Sequence, residues 1–213
     1  AQVPLGTGLA FAHKYRGDGG VCLAYFGDGA ANQGQVYEAF NMAELWNLPI
    51  IFAIENNQYA MGTSVNRSSA EDKMFRRGQS FRIPGIQVDG MDVLATRGAC
   101  ELALEHVRGG NGPIILELKT YRYHGHFHAD VPLNYRKEEE EQYFHDKDAI
   151  KHFETTVTKQ KLMTAKKLKG IRDAVEQEML DAVEFGMNSP MPDAATLYDD
   201  VYVNYSNPIP GLR

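Results

Sequence analysis

Short apolar runs alternate with helical patterns along the first two thirds of the chain. Between the runs, apolar residues recur at helical spacing in residues 32–47 and 92–108, and the first residues also have the character of a helix. Because a strand, a helix and a second strand follow one another within about thirty-five residues, the pattern predicts a right-handed βαβ unit. Residues 21–26 ("VCLAYF") have the pattern of a doubly buried parallel strand. A second buried strand is predicted at 50–55 ("IIFAIE"), and further strands are predicted at 86–90 ("IQVDG") and 112–123 ("GPIILELKTYRY"). The fold class is therefore α/β, with a mostly parallel sheet flanked by helices.

Two polar stretches interrupt this alternation. Residues 60–85 are long and rich in Gly and Ser, which predicts a functional loop containing a short helix. Residues 124–141 form a second predicted loop, in which the acidic run "KEEEE" (137–141) is interpreted as the start of a solvent-exposed helix.

The C-terminal part of the chain has a different character. Residues 146–185 are amphipathic with helical spacing, and we expect the tail at 188–213, rich in Pro, Asn and Tyr, to lie extended over a surface or a partner. We therefore expect an α/β domain over residues 1–145 and a C-terminal helical extension with its tail over 146–213.

Bulk composition narrows the classes of function. The chain has 213 residues, 43% of them hydrophobic, and its net charge of −6 (22 basic against 28 acidic residues) argues against a broad nucleic-acid-binding surface. Apolar runs are too short for a membrane span, which needs about 18 residues. Cys22 and Cys100 lie in apolar or helical patterns, which indicates small buried thiols in a reducing compartment. Because the chain opens with Ala1, we expect a piece of a longer protein, in which a removed targeting segment would not be visible.

Candidate chemistry lies where two predicted strands end. Asp28 stands between glycines after the first strand, and Asn56 and Asn57 follow the second. Ligands of parallel sheets bind beyond the carboxyl ends of strands, so these side chains can converge. One carboxylate and one amide oxygen, with positions left for phosphate and water, suit Mg²⁺. Since free N–H groups at the start of the next helix favour phosphate, the pattern predicts a clamp for a metal-bound diphosphate.

Each half of this clamp also has an ordinary explanation. Asp-Gly is a common turn dipeptide, with a second example at residues 17–19, and adjacent asparagines often form a turn. The combination is more informative, because both stand at strand ends and 26 residues (30–55) lie between Gly29 and Asn56.

This spacing resembles the thiamine-diphosphate-binding motif, "GDG" followed by "NN". The stretches "AQVPLGTG", "YFGDGAANQGQ", "IENNQYAMGTSV", "QVDGMD" and "TYRYHGH" extend the resemblance to the alpha subunits of pyruvate dehydrogenases, within the thiamine-diphosphate-dependent 2-oxoacid dehydrogenases. The resemblance covers most of residues 1–136 and is loose over 150–213. It implies the thiamine-diphosphate-binding fold, with the cofactor between alpha and beta subunits.

The resemblance also implies roles for individual residues. Asp28 and Asn57 match the Mg²⁺ side-chain ligands, and Tyr59 matches the position that offers its backbone carbonyl to the metal. Gly29 and Ala30 match positions whose N–H groups meet the diphosphate of the cofactor.

His126, in "YHGHFH", matches the catalytic loop histidine that faces the cofactor and moves protons. His124, His126 and His128 alternate, so a Zn²⁺ site with Asp130 as fourth ligand is an alternative, although Gly125 favours a loop.

Two serines that are phosphorylated in animal relatives are absent from the histidine loop. Phe127 and Asn134 stand at those positions, so phosphorylation there cannot occur. Ser64 matches a third regulatory serine and is a candidate phosphosite near the diphosphate, where added negative charge would repel the cofactor; a turn-capping serine is the alternative.

The implied activity is oxidative decarboxylation of pyruvate, with the acetyl group passed to the lipoyl domain of a dihydrolipoyl acetyltransferase. The implied assembly is an α2β2 heterotetramer with a beta subunit, and the implied location is the mitochondrial matrix. Alternatives are a branched-chain 2-oxoacid or acetoin dehydrogenase alpha subunit, a non-catalytic assembly subunit, and a Mg²⁺-dependent phosphohydrolase. The last would need further carboxylates at strand ends, and none clusters with Asp28 in the sequence.

Overall fold

A four-stranded parallel sheet, in the order β1–β2–β6–β5, organises the computed structural model, which describes residues 1–199. A two-stranded antiparallel hairpin, β3–β4, lies outside this sheet. The fold class is the one predicted. The strands are β1 (Cys22–Gly27), β2 (Ile50–Asn56), β3 (Tyr59–Ala60), β4 (Thr63–Ser64), β5 (Gly85–Asp89) and β6 (Ile114–Lys119).

Helices cover both faces of the sheet. One hydrophobic cluster joins α1 and α2 to β1 and β2, and a second joins α4 to the strands on its side. The helices are α1 (Gln2–Arg16), α2 (Gly34–Leu45), α3 (Val65–Ser68), α4 (Val93–Arg108), α5 (Glu138–Asp146), α6 (Ala149–Lys159) and α7 (Ala165–Asn188).

The position of β2 explains why its sequence is continuously apolar. It lies between β1 and β6 and is covered on both faces, so the five residues 50–54 are all buried. Phe52 meets Phe40 of α2 edge-on, with ring centroids 4.7 Å apart. On β1, a Cβ at Gly6 of α1 would lie 2.8 Å from the Cβ of Ala24, so glycine allows the helix to pack closely.

The structure differs from the sequence expectations at several boundaries. The strand expected over 112–123 ends at Lys119, and β3–β4 was not predicted. The helical pattern of 146–185 is divided between α6 and α7, with Lys161 in the left-handed region (φ 58°) between them. Of the expected thiols, Cys22 is buried and Cys100 is half-buried.

The chain divides into two compact units, Ala1–Lys159 and Gln160–Arg213. The first contains the whole sheet and helices α1 to α6; the second contains α7 and a 3₁₀ turn at Ala194–Tyr198. In the tail predicted to be extended over 188–213, Asn188 still belongs to α7 and the 3₁₀ turn departs from an extended chain. Residues 200–213 lie outside the described residues.

Candidate cofactor site

Asp28 and Asn57 meet at the carboxyl edge of the sheet. Gly27 of β1 pairs with Glu55 of β2, which places the residues that follow each strand side by side. The Asp28 side chain is only 3% exposed, and this burial raises its pKa. The backbone N–H groups of Asp28 and Asn57, with the Arg122 guanidinium, act in the opposite direction, so the carboxyl group faces the Asn57 turn.

The turn after β2 is held by its own two amides. The N–H of Gln58 donates to Asn56 Oδ1 at 3.1 Å, and the N–H of Tyr59 donates to Asn57 Oδ1 at 3.3 Å. Gln58 takes a positive φ of 72°. These two side-chain turns fix where the Asn57 amide and the Tyr59 carbonyl lie relative to the end of β2.

Arg122 fixes the other side of this edge. Its guanidinium donates to the carbonyl oxygens of Tyr59 at 2.9 Å and Met61 at 2.7 Å, and its Nε donates to that of His124 at 3.2 Å. The Tyr59 carbonyl therefore keeps one lone pair for another partner. Arg122 ties the hairpin to the segment that carries the histidines.

The segment after Asp28 differs from the helix start that was expected. Residues Ala30–Asn32 form a 3₁₀ turn, Gln33 is extended, and α2 begins only at Gly34. A Cβ at Gly29 would lie 2.5 Å from the Cβ of Ala60, so this turn packs directly on the hairpin. Gly29 and Ala30 thus lie beside Asp28, but at the start of a 3₁₀ turn rather than of α2.

Arg77 holds the 3₁₀ turn from the loop over residues 60–85. Its Nη1 donates to the Ala31 carbonyl at 2.9 Å and to Asn32 Oδ1 at 2.8 Å, and its Nη2 donates to the Glu71 carbonyl at 3.2 Å. The long polar loop therefore supports the edge on which Asp28 lies.

His126 lies on an exposed loop that Asp130 closes on itself. The N–H of His126 and the hydroxyl of Tyr135 both donate to Asp130 Oδ2, each at 2.7 Å. These two hydrogen bonds hold the pKa of Asp130 below its usual value. The imidazole of His126 is exposed and open to a ligand or a partner.

Arg136 anchors the end of this loop. Its side chain is buried among the rings of Tyr59, Tyr121 and Tyr135, at 4.8, 5.0 and 5.3 Å from their centroids. It donates to the Arg122 carbonyl at 2.7 Å and lies 3.7 Å from Glu141 of α5. The histidine loop, the hairpin and α5 are thereby packed around one guanidinium.

Tyr59 joins this cluster through its side chain as well. Its hydroxyl donates to Glu140 Oε2 at 2.9 Å, and burial together with this contact raises its pKa to about 12. The residue whose carbonyl was predicted to hold a metal is therefore fixed at both ends.

The zinc alternative gains no support from the structure. His124, His126 and His128 are all exposed, and residues 1–199 contain no group of three or more His, Cys, Asp or Glu side chains placed to share a metal ion.

The positions that correspond to regulatory serines lie on the histidine loop and on the hairpin. Phe127 and Asn134 are exposed on the histidine loop. Ser64 lies in β4, where its backbone pairs with that of Tyr59. The candidate phosphosite is thus on the same hairpin as the predicted carbonyl ligand.

Sequence reasoning missed the three arginines that organise this region. Arg122 lies inside "TYRYHGH", Arg136 follows the tyrosine of "NYRK", and Arg77 is one of two adjacent arginines in a polar loop. An adjacent tyrosine was the available signal for Arg136, because arginine stacks on aromatic rings. Nothing local distinguishes Arg122, which donates to backbone carbonyls, or Arg77.

Comparison with known proteins identifies the family. The family model described as "Dehydrogenase E1 component" matches residues 1–195. The chain belongs to this family. A protein of Rhizobium meliloti named pyruvate dehydrogenase E1 component subunit alpha is 54% identical over 202 residues, which cover 94% of this chain and 58% of that protein. A protein of the same name from Rickettsia felis is 48% identical over 95% of this chain and 62% of its own length.

The chain spans about three fifths of the length of these curated relatives. The predicted mitochondrial location is wrong, because the relatives from Rhizobium, Rickettsia and Zymomonas are bacterial proteins. A relative from Dictyostelium discoideum, 48% identical over 95% of this chain and 54% of its own length, does carry the word mitochondrial in its name. Within residues 1–199 there is no helix of the length and apolarity that a membrane crossing requires.

Proposed function

We propose that this chain is the alpha subunit of the first component of a pyruvate dehydrogenase complex, with thiamine diphosphate and Mg²⁺ as its cofactors. Family membership and the relatives' names support this assignment. The observation that carries it is the buried Asp28 carboxyl group, facing the Asn57 turn at the carboxyl edge of a parallel sheet.

The chemistry of these donors fits a magnesium ion. Asp28 would supply a carboxylate, Asn57 an amide oxygen and Tyr59 the free lone pair of its carbonyl, all of them the hard oxygen ligands that Mg²⁺ prefers. Burial of Asp28 is costly for the ligand-free protein, and a bound cation would offset that cost. The N–H groups of Gly29 and Ala30 would hold the diphosphate beside the metal.

The cofactor, when bound, supplies the electron sink that decarboxylation of a 2-oxoacid needs. This chain holds and orients it through the sheet edge. His126 is suited to move protons at the reacting centre, because histidine is the side chain that most often transfers protons in enzymes and its loop leaves the ring accessible. Asp130 and Arg136 keep that loop closed.

Two further partners belong to the proposal. The relatives are named as subunit alpha of a component, which supports a beta subunit as partner in an α2β2 assembly. The substrate is pyruvate, and the acetyl group passes to the lipoyl domain of a dihydrolipoyl acetyltransferase.

Calorimetry tests this function most directly. The complex of the complete alpha subunit with its beta subunit is titrated with thiamine diphosphate in the presence of Mg²⁺, for the wild type and for Asp28→Ala. We expect tight binding by the wild type and at least about a hundredfold loss in the variant, because the one metal carboxylate is removed. A wild-type complex that binds no cofactor, or a variant that binds it equally well, would refute the proposal.

A further inference from the structure

Glu117 is a buried carboxylate in the middle of the sheet. It is not one of the residues proposed to hold the cofactor. It lies on β6 and is fully buried. Three N–H groups donate to it: Asn56 Nδ2 to Oε1 at 2.7 Å, the Phe75 backbone N–H to Oε2 at 3.0 Å, and Gln87 Nε2 to Oε2 at 2.9 Å. Such a group costs free energy to bury, so its retention needs a reason.

The hydrogen bond with Asn56 connects Glu117 to the turn that carries Asn57. Because Glu117 accepts from Asn56 Nδ2, the other end of that amide, Oδ1, must point away, where it accepts the N–H of Gln58. This second bond shapes the turn in which Asn57 is the next residue and Gln58 has its positive φ. The acid on β6 therefore sets the direction of the amide that forms the turn.

We propose that Glu117 is a positioning residue for the metal-binding turn: through Asn56 it holds Asn57 and the Tyr59 carbonyl in the geometry that receives Mg²⁺. This inference rests on the proposed function. It adds a group on a third strand, β6, that reaches the end of β2 through Asn56.

Replacement by glutamine, Glu117→Gln, makes the proposal testable. The Oε2 position receives the backbone N–H of Phe75, which cannot turn around, so the amide nitrogen of the introduced glutamine must occupy the Oε1 position. There it faces Asn56 Nδ2, donor against donor. Asn56 can relieve this conflict only by flipping, and the flip turns its NH₂ group toward the N–H of Gln58, which loses its acceptor.

The experiment uses the complex of the complete alpha and beta subunits. Mg²⁺ is titrated calorimetrically at saturating thiamine diphosphate, and amide hydrogen exchange of the ligand-free complex is followed in a peptide spanning residues 55–62. We expect Glu117→Gln to weaken Mg²⁺ binding about tenfold, the lower end of the loss seen when partners of metal ligands are changed. We also expect faster exchange in that peptide before any ligand is added.

Gln87→Ala is the matched control. It removes another of the three hydrogen bonds to Glu117, one whose donor lies on β5 and makes no hydrogen bond to Asn56 or to the backbone of the turn. We expect unchanged Mg²⁺ affinity and unchanged exchange in residues 55–62. Equal effects of the two variants would show that only general support of the sheet is at stake and would overturn the proposal.

A double substitution tests whether the lost hydrogen bonds can be restored. In Glu117→Gln with Asn56→Asp, the new carboxylate accepts from the introduced side-chain amide through one oxygen and from the N–H of Gln58 through the other, which restores both bonds. We expect protection of residues 55–62 to return toward the wild-type value. If Glu117→Gln does not assemble, Asn56→Ala removes the same link, and wild-type Mg²⁺ affinity in that variant refutes the proposal.

The outcomes remain distinct from those of the proposed function. If wild type binds the cofactor and Asp28→Ala does not, the function stands whatever Glu117 does. Wild-type affinity and exchange in Glu117→Gln would then overturn the positioning role alone.

Discussion

The sheet edge and the histidine loop are two halves of one proposed site, and they are built in opposite ways. Asp28 is 3% exposed, and the turn opposite it is held by hydrogen bonds that involve residues of β2, β3 and β6. His126 is exposed on a loop closed by a single carboxylate, Asp130, and anchored by the buried Arg136. The edge is buried and cross-linked by hydrogen bonds, whereas the loop is exposed.

This difference agrees with what each half would do. A metal-bound diphosphate needs oxygen ligands at fixed distances, which a sheet edge provides. A group that moves protons and meets a second protein needs access, and a loop on a rigid scaffold provides that. Changes at the edge should therefore act on cofactor affinity, and changes in the loop on turnover.

The largest expected effect is a loss of stability at Arg136, which supports the loop structurally and is not a predicted ligand of the cofactor. Arg136→Ala leaves a cavity among three tyrosine rings and removes the only cation that lies near half-buried Glu141 among the ion pairs described for residues 1–199. We expect the free energy of unfolding to fall by about 3 kcal/mol. Denaturant titration of the complex measures the change. Arg76→Ala, which removes an exposed guanidinium near the Phe75 ring, is the control and should change stability by less than about 0.5 kcal/mol.

Removal of the Asp130 carboxylate, which closes the histidine loop, should lower turnover without changing Mg²⁺ affinity. Asp130→Ala leaves the N–H of His126 and the hydroxyl of Tyr135 without their shared acceptor, so the loop opens. We expect kcat to fall about tenfold, part of the contribution of a positioned acid or base, with Mg²⁺ affinity unchanged. A parallel loss of metal affinity would show that edge and loop are not separate.

The stabilising contribution of Asp130 to the loop should depend on pH in a defined direction. The pKa of Asp130 is lowered in the folded state from its ordinary value of 3.8. Its stabilising contribution is therefore present above pH 3.8 and is lost only as the pH falls through the lower folded value. Proteolytic protection of residues 124–135 should persist in wild type at about pH 4.5, and loss of that protection between about pH 7 and 4.5 would contradict the assignment.

At Asp28, a substitution that removes Mg²⁺ binding should make the ligand-free protein more stable. Burial raises the pKa of Asp28, so its charge destabilises the ligand-free fold at neutral pH. Asp28→Asn should raise the free energy of unfolding by about 1 kcal/mol at neutral pH while it abolishes tight Mg²⁺ binding. The gain should disappear below pH 3.8, where the wild-type carboxyl is protonated in both states.

Thermal unfolding of the ligand-free complex at both pH values measures this gain. Asp72→Asn, at an exposed position in the polar loop, is the matched control and should leave the midpoint unchanged. A lower midpoint for Asp28→Asn at neutral pH would mean that Arg122 and the backbone N–H groups around the carboxylate stabilise it by more than its burial costs.

The two halves also differed in how far the sequence could predict them. The edge follows from local rules: apolar runs predict the strands, and parallel strands bring Asp28 and Asn57 to one rim. The short hairpin β3–β4 escaped prediction because two-residue strands have no detectable period.

The loop depends on contacts between residues far apart in the chain, which no local pattern reveals. Arg136 meets Tyr59 across seventy-seven positions (136 − 59). The sheet edge contains one such contact too, because Glu117 meets Asn56 across sixty-one positions (117 − 56). The resemblance identified His126 as a candidate, but Asp130, proposed from the sequence only as a zinc ligand, instead accepts hydrogen bonds that close the loop.

The smallest expected effect is a change in cofactor affinity at Ser64, which lies on the hairpin between the sheet edge and the histidine loop. Ser64 pairs with Tyr59 in the hairpin, so Ser64→Glu places a negative charge near the predicted diphosphate site without touching a ligand. We expect thiamine diphosphate affinity to fall about threefold at low salt, and the loss to shrink as salt screens the repulsion. Ser68→Glu is the control, because Ser68 is exposed on α3, one turn away, and its hydroxyl donates to the carbonyls of Ser64 and Val65. Equal affinity for the two variants would remove Ser64 as a regulatory site and leave it a structural part of the turn that leads into α3.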